Sequence, residues 1–320
     1  MLTSRRPSSR LLPSIALLAG AVIWGLIWYP YRAIEAAGMG GVTATFITYG
    51  LAFLFGLIPL WPVLRRTRPS FWLVALALAA AGTNLGYVLG TLDGVVMRVL
   101  LLFYLSPLWT VLLSRLLLGE RLSRAGAGVI ALSLAGAFVM LWRPELGLPW
   151  PQGSAEWMGL GAGVCFALAN VLIRRTAHIE IEQKVMAVFL GVIAVAPVAA
   201  WLRGEAPLQQ FAAIGADTWL LLALIGGVLL LVNLVVQYGI TFLSANAAIA
   251  LFLFELVVAA ISSWWLAGEV MGLKEWVGGA MIIAASLFSG HLEPERTDHN
   301  VEDAPRSSVQ VDVLDDRSRL

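Results

Sequence analysis

Glu255 sits near the middle of an apolar run that extends from about 245 to 267, and a carboxylate in such a place is costly unless it faces protein or water. It can bind a proton in exchange for a substrate, or pair with a substrate amino group, because burial favours the neutral acid. It can equally be a hydrogen-bonded tie between two helices, and the residue types alone leave both readings open. Ala248, Phe252, Ala259 and Ser262 share its face at helical spacing, a small and polar surface of the kind that borders a cavity. Four further stripes recur at the same period: Asn84, Tyr87 and Thr91; Ser106, Thr110 and Ser114; Gly163, Phe166, Asn170 and Arg174; and Asn233 with Gln237. Each stripe alone is explained by interhelical hydrogen bonds worth about 0.6 kcal/mol. Together they suit a shared polar-lined interior, with Trp24, Asn84, Tyr87, Tyr104, Ser106, Asn170, Asn233, Gln237, Phe252 and Glu255 as candidate substrate contacts. Trp24 and Tyr104 are too deep in their runs for the aromatic belt at a membrane surface, whereas Trp28, Trp150, Trp157 and Trp201 fit that belt.

A second group of charges falls at the ends of apolar runs. Glu120 and Glu269 each follow a glycine at a helix C-terminus, where a carboxylate opposes the helix dipole and needs a local cation. Arg121 or Arg124 can serve Glu120, and Lys274 can serve Glu269, as structural or gating pairs. Arg32 and Arg98 can meet Asp93 as a gate at the opposite end, or all three can be solvated loop charges. Pro107 frees the carbonyl of Phe103 within its run. Three histidines and one cysteine supply too few ligands for a metal site, so neither a metal nor a cofactor is expected. No HExxH or GxSxG constellation is present, which leaves an intramembrane enzyme as a minor alternative.

The elements that must position these residues are set by composition. Hydrophobic residues make up 59% of the 320, charged residues only 13%, and the mean hydropathy is +0.84. Soluble domains use about a quarter charged residues, so most of this surface must face lipid. Apolar runs long enough to cross a hydrocarbon core predict ten spans: 12–32, 42–63, 71–90, 97–118, 125–142, 156–174, 184–202, 218–240, 245–267 and 274–291. The fold class is thus an all-α polytopic membrane protein, with Pro30, Pro107 and Pro197 kinking their helices. With the N-terminus inside, 16 of the 21 Lys and Arg residues lie on the cytoplasmic side. That bias places both termini in the cytoplasm, and the expected location is a plasma membrane, bacterial inner membrane in type. Residues 1–11 form a short basic leader to an uncleaved first helix, and residues 292–320 form a charged tail of disordered composition.

The chain also repeats itself. LFYLSPLWTVLLSRLLLGE at 102–120 lies over LFLFELVVAAISSWWLAGE at 251–269 without a gap, sharing a Leu-Phe start and a Gly-Glu end. A weaker echo joins Ala19, Gly20 and Arg32 to Ala162, Gly163 and Arg175. Residues 12–142 and 156–291 are therefore two five-helix copies joined by a linker at 143–155. Five is odd, so the second copy enters the membrane from the opposite side and the repeat is inverted, an arrangement suited to opening one central site to either side in turn. Gly159, Gly163, Gly278 and Gly279 favour close helix packing and a possible homodimer contact.

These residues resemble a known family. YLSPLWTVLLSRLLLGERLS followed by Gly126 and Gly128, its counterpart LAGEV before WVGGAMII, and Ala-Val-Ile-Trp24-Gly25 are similar to the paired signatures of the EamA-type transporters of the drug/metabolite transporter superfamily. The resemblance covers roughly residues 12–291. It implies a ten-helix, inverted-repeat carrier with a central cavity, often an exporter of amino acids, related metabolites or drugs. Two positions depart from it: Leu256 stands where many relatives have Pro after the glutamate of span nine, and Trp28-Tyr29-Pro30-Tyr31 is more aromatic than usual. The expected function is a secondary transporter of a small amphipathic metabolite, such as an amino acid, exported by alternating access with proton coupling or exchange. A lipid flippase or scramblase of the same fold is the alternative. The expected partners are the substrate and the bilayer, with no nucleic acid.

Overall fold

The computed structural model describes residues 11–94, 96–142, 144–146, 150–205, 209–211, 214–266, 268 and 272–289. Among these, fourteen α-helices follow one another. In the first half they are α1 (Leu11–Leu26), α2 (Trp28–Ala36), α3 (Gly41–Leu57), α4 (Trp61–Leu64), α5 (Phe71–Asp93), α6 (Val96–Phe103), α7 (Ser106–Leu118) and α8 (Arg124–Leu141). In the second half they are α9 (Ser154–Arg175), α10 (Ile181–Leu202), α11 (Ala216–Phe242), α12 (Ala245–Phe252), α13 (Phe254–Leu266) and α14 (Leu273–Ser289). No strand occurs among the described residues. Eight helical stretches are long and apolar enough to cross a membrane, and two shorter apolar ones, Gly41–Leu57 and Trp276–Ala285, accompany them. The protein is a multi-pass membrane protein. The expected tail at 292–320, the leader up to residue 10, and Glu269 lie outside the described residues.

Local chemistry explains where the helices start and stop. Ser70, Ser123 and Ser244 cap α5, α8 and α12, each hydroxyl accepting the amide N–H three residues on. Gly119 closes α7 at φ +68°, and Gly268 follows α13 at φ +67°. The left-handed region favours glycine because a Cβ clashes there, which explains the glycine that the two copies share before glutamate.

Four spans read as continuous from sequence are broken. The first turns at Ile27 between α1 and α2, the second, 42–63, at 58–60 between α3 and α4, the fourth at Tyr104 and Leu105 between α6 and α7, and the ninth at Leu253 between α12 and α13. Pro30 and Pro107 follow the breaks of the first and fourth spans by a few residues, whereas α10 runs unbroken through Pro197. The ninth has no proline. Its ladder is rerouted instead by a short i to i+3 bond, with the Leu256 amide donating to the Leu253 carbonyl at 3.1 Å. The fourth and ninth spans match in form, eight residues and then thirteen in each copy.

Packing follows the same duplication. α9 lies against α5, α6 and α7, while α1 lies against α11, α12 and α13; α5 packs on α10 as α3 packs on α11. Glycines set the closest approaches. A Cβ on Gly163 would fall 2.6 Å from the Phe103 carbonyl, at the break of the fourth span, and one on Gly25 would fall 2.8 Å from the Glu255 carbonyl, beside the break of the ninth. Gly159 abuts Val99, and Gly278 abuts Gly136. Gly159, Gly163 and Gly278, three of the small residues expected to favour close packing, are thus engaged within the chain.

Candidate functional site

The broken spans bring Glu255 and Tyr104 together, since both stand within two residues of a break. The Tyr104 hydroxyl donates to Glu255 Oε1 at 3.3 Å. Tyr87, from α5, is close enough to interact electrostatically with both. Around this polar core runs a chain of rings: Tyr87 and Tyr104 each meet Phe103 edge-on at 5.2 Å, Phe103 lies 5.5 Å from Phe166, and Phe166 lies 5.4 Å from Phe252. Tyr104 and Phe252 are buried, whereas Glu255, Tyr87, Phe166 and Trp24 keep part of their surface. Trp24 precedes Gly25, whose backbone touches the Glu255 carbonyl. The arrangement offers one carboxylate, two phenols and several ring edges, a surface able to hold an aromatic or cationic group and to exchange a proton.

The remaining sequence candidates are more dispersed. Asn84 Oδ1 accepts from the Tyr49 hydroxyl at 2.6 Å, and its amide bonds the Ala80 carbonyl. Ser106, Thr110 and Ser114 are fully buried, with Thr110 and Ser114 bonding carbonyls of their own helix. Asn233 and Asn170 likewise donate to carbonyls one turn back. Gln237 is buried with no partner for either amide atom among the described residues. Ser262 accepts from Trp28 Nε1 at 3.0 Å and donates to the Gly25 carbonyl at 3.2 Å, so both tie α13 to the first span. Trp28 is thus partly buried in a helix contact, whereas Trp150, Trp157 and Trp201 are exposed.

At the basic end of the bundle the partners differ from those expected. Glu120 pairs with Arg174 at 3.6 Å, not with Arg121 or Arg124, and also accepts the Ala245 amide at 3.2 Å. Arg174 donates to the Thr241 carbonyl at 2.6 Å. Lys184, first residue of the run read as 184–202 and one of the cations counted on the cytoplasmic side, is fully buried, its Nζ 2.6 Å from Thr241 Oγ1 and 3.3 Å from the Ile173 carbonyl. Arg175 bonds the Leu117 carbonyl and lies 4.3 Å over the Trp72 ring. These contacts fasten the ends of α7, α9 and α11 to the starts of α10 and α12. Burial pushes the Glu120 carboxyl above its ordinary range, and Arg174 and the Ala245 amide offset only part of that. Arg174→Ala is therefore expected to cost about 1–3 kcal/mol, because it strips partners from Glu120 and from Thr241. Glu120→Gln, which keeps an acceptor for Ala245, is expected to cost less. Melting temperatures of both variants and of the double variant measure the coupling; strictly additive losses would contradict a shared latch.

At the other end Asp93 binds Arg203 with both carboxylate oxygens, at 2.6 and 2.7 Å. The expected pairing of Asp93 with Arg32 and Arg98 is corrected in part: Arg203 is the partner, Arg32 is exposed, and the Arg98 side chain lies outside the described residues. Glu205 accepts from the Thr43 amide at 3.1 Å and hydroxyl at 2.5 Å, and Gln210 accepts the Gly40 amide. Sequence reading overlooked Lys184, Arg203, Glu205 and Phe103 as members of these sites. None of them carried a signal, since Lys184 stands at the very start of the run read as 184–202 and only the helix, which begins at Ile181, takes it inside.

The described residues thus form an all-helical membrane bundle whose fourth and ninth spans break beside Glu255. The chain belongs to the EamA-like transporter family, whose model matches it twice, over residues 11–142 and 153–290. It is 26% identical over 279 residues to an uncharacterized transporter of Archaeoglobus fulgidus, across 86% of this chain and 94% of that one. It is likewise 26% identical over 309 residues to a riboflavin transporter of Rhizobium johnstonii, across 88% and 96%. A riboflavin transporter of Brucella anthropi is 24% identical over 232 residues, across 70% and 78%. A solved crystal structure shares the fold with a TM-score of 0.71 at 17% identity, covering 87% of this chain and 96% of that one.

Proposed function

We propose that the protein is a secondary carrier that exports a small amphipathic metabolite by alternating access, in exchange for protons taken up at Glu255. The observation that carries this reading is Glu255 held by Tyr104 amid rings where the fourth and ninth spans both break. A broken span frees backbone groups beside a site, as discontinuous helices do in other carriers. The ring-rich surround favours a substrate with a planar or cationic part, and the names of two relatives as riboflavin transporters fit the first of these.

Ten crossings and an inverted repeat belong to the same proposal. Paired contacts between helix ends support them, because Asp93 with Arg203, Thr43 with Glu205 and Gly40 with Gln210 all fall on one side of a ten-crossing scheme. Glu120 with Arg174 and Lys184 with Thr241 fall on the other. The excess of basic residues on the latter side supports its assignment to the cytoplasm. Reporter fusions after residues 68, 124 and 183 are expected to read cytoplasm, and those after 40, 94 and 150 the outer side; the reversed pattern would overturn the orientation.

Counterflow in proteoliposomes tests the carrier reading. Labelled substrate should accumulate transiently when vesicles are preloaded with the same unlabelled compound, drawn from a panel of amino acids, amines, heteroaromatic metabolites and lysolipids. Movement of lipid alone would replace the carrier by a flippase.

A further inference from the structure

Gln237 is the most anomalous polar group in the bundle. It is 1% exposed, and neither its Oε1 nor its Nε2 has a partner among the described residues. Every other amide of the polar stripes has one: Asn84, Asn170 and Asn233 each donate to the carbonyl four residues back. Nothing in its own helix prevents Gln237 from being apolar, and an unsatisfied buried amide costs free energy in this state. An amide so buried calls for a partner to complete it.

Its position narrows the choice of partner. Gln237 lies one turn before Thr241 on the same face of α11, and Thr241 receives both Arg174 from α9 and Lys184 from α10. Asn170, 2% exposed, stands one turn before Arg174 on α9. Both helices end at this latch with the same polarity, so each amide stands one turn inside it on its own helix. Asn170 is bonded in turn to the carbonyl of Phe166, whose ring belongs to the aromatic chain around Glu255. Read inward from the latch, α9 carries Arg174, Asn170 and then Phe166 at one-turn intervals, and α11 carries Thr241 and then Gln237.

We infer that Gln237 forms a subsite on the cytoplasmic side of the Glu255 centre that reads the lactam or imide edge of a planar heteroaromatic substrate. A primary amide presents one acceptor and one donor side by side, the complement of an adjacent C=O and N–H in such a ring. The rings of Phe103, Phe166 and Phe252 take the face or edge of the same heterocycle. The subsite is closed in the state described and becomes accessible when the latch parts. This rests on the carrier reading above and adds the substrate class and the residue that selects it.

The test is counterflow by the full chain with riboflavin, lumazine and xanthine, each compared with the analogue methylated at the imide or lactam nitrogen. At least one parent should exchange, and its methylated analogue should bind at least tenfold more weakly, because the methyl removes the donor that Gln237 accepts. Gln237→Leu should fold with an unchanged or higher melting temperature and bring parent and analogue within threefold of each other. The comparison on the unmodified protein stands even if that variant does not fold. Exchange of amino acids or amines with no heteroaromatic compound would overturn the subsite and leave the carrier reading intact. Equal handling of parent and methylated compound, or discrimination that persists in Gln237→Leu, would also overturn it. Exchange of nothing on the panel would remove both.

Discussion

Glu255→Gln is expected to abolish the dependence of transport on a pH gradient and to lower driven flux at least tenfold. Glutamine keeps the size of the side chain and an acceptor for the Tyr104 hydroxyl, which donates to Glu255 Oε1 at 3.3 Å, so the local packing survives. What it removes is the site at which a proton can be taken up and released. Expression and melting temperature should therefore stay near those of the unmodified protein while flux collapses. Tyr104→Phe deletes the hydrogen bond but not the carboxylate, and is expected to shift the pH profile with a smaller loss of flux. Unchanged flux and an unchanged pH profile in Glu255→Gln would reduce Glu255 to a tie between the fourth and ninth spans.

The largest effect on the fold is expected at Gly191, in α10. A Cβ there would lie 2.1 Å from the carbonyl oxygen of Ala77 in α5 and 2.5 Å from its carbon. Backbone cannot rotate out of the way as a flexible side chain can, so any side chain forces α5 and α10 apart. Overpacking of ordinary cores costs about 1–3 kcal/mol, and a clash of two helix backbones lies at or beyond the top of that range. Gly191→Val should yield no monodisperse protein after solubilisation, and Gly191→Ala a much lower melting temperature. Gly161→Ala, on the outer face of α9 with nothing within 4 Å, is the control and should be neutral or stabilising by up to about 1 kcal/mol. Equal yields from the Gly191 and Gly161 variants would contradict the close approach.

What could be read from sequence, and what could not, divides along physical lines. Length and hydropathy of a run are local, so the helical stretches were legible, as was Glu255 as a lone carboxylate in one of them. The gapless match of 102–120 with 251–269 placed the duplicated spans, and the glycines ending both, at φ +68° and +67°, supply the reason for that shared residue. The break at Leu253 was not legible, because no proline marks it and a rerouted hydrogen bond leaves no trace in composition. Partners of charges were misread for a related cause. Proximity in sequence suggested Arg121 or Arg124 for Glu120, but helix C-termini from different parts of the chain converge, and Arg174 lies 54 positions away. Lys184 counted among the cytoplasmic cations because orientation rules weigh cations by position; only the fold reveals Thr241 opposite it. Gln237 was visible as half of a stripe, yet that its amide lacks a partner is a property of the packed state alone.

The most direct test of the carrier is flux driven by a pH gradient in proteoliposomes loaded with a compound that gives counterflow. If protons and substrate exchange through Glu255, vesicles with an acidic interior should take substrate up against its gradient as protons leave, and vesicles with an alkaline interior should expel it. Net flux of the same direction and size under both gradients, or transbilayer movement of lipid with none of the metabolite, would contradict proton-coupled exchange at this site.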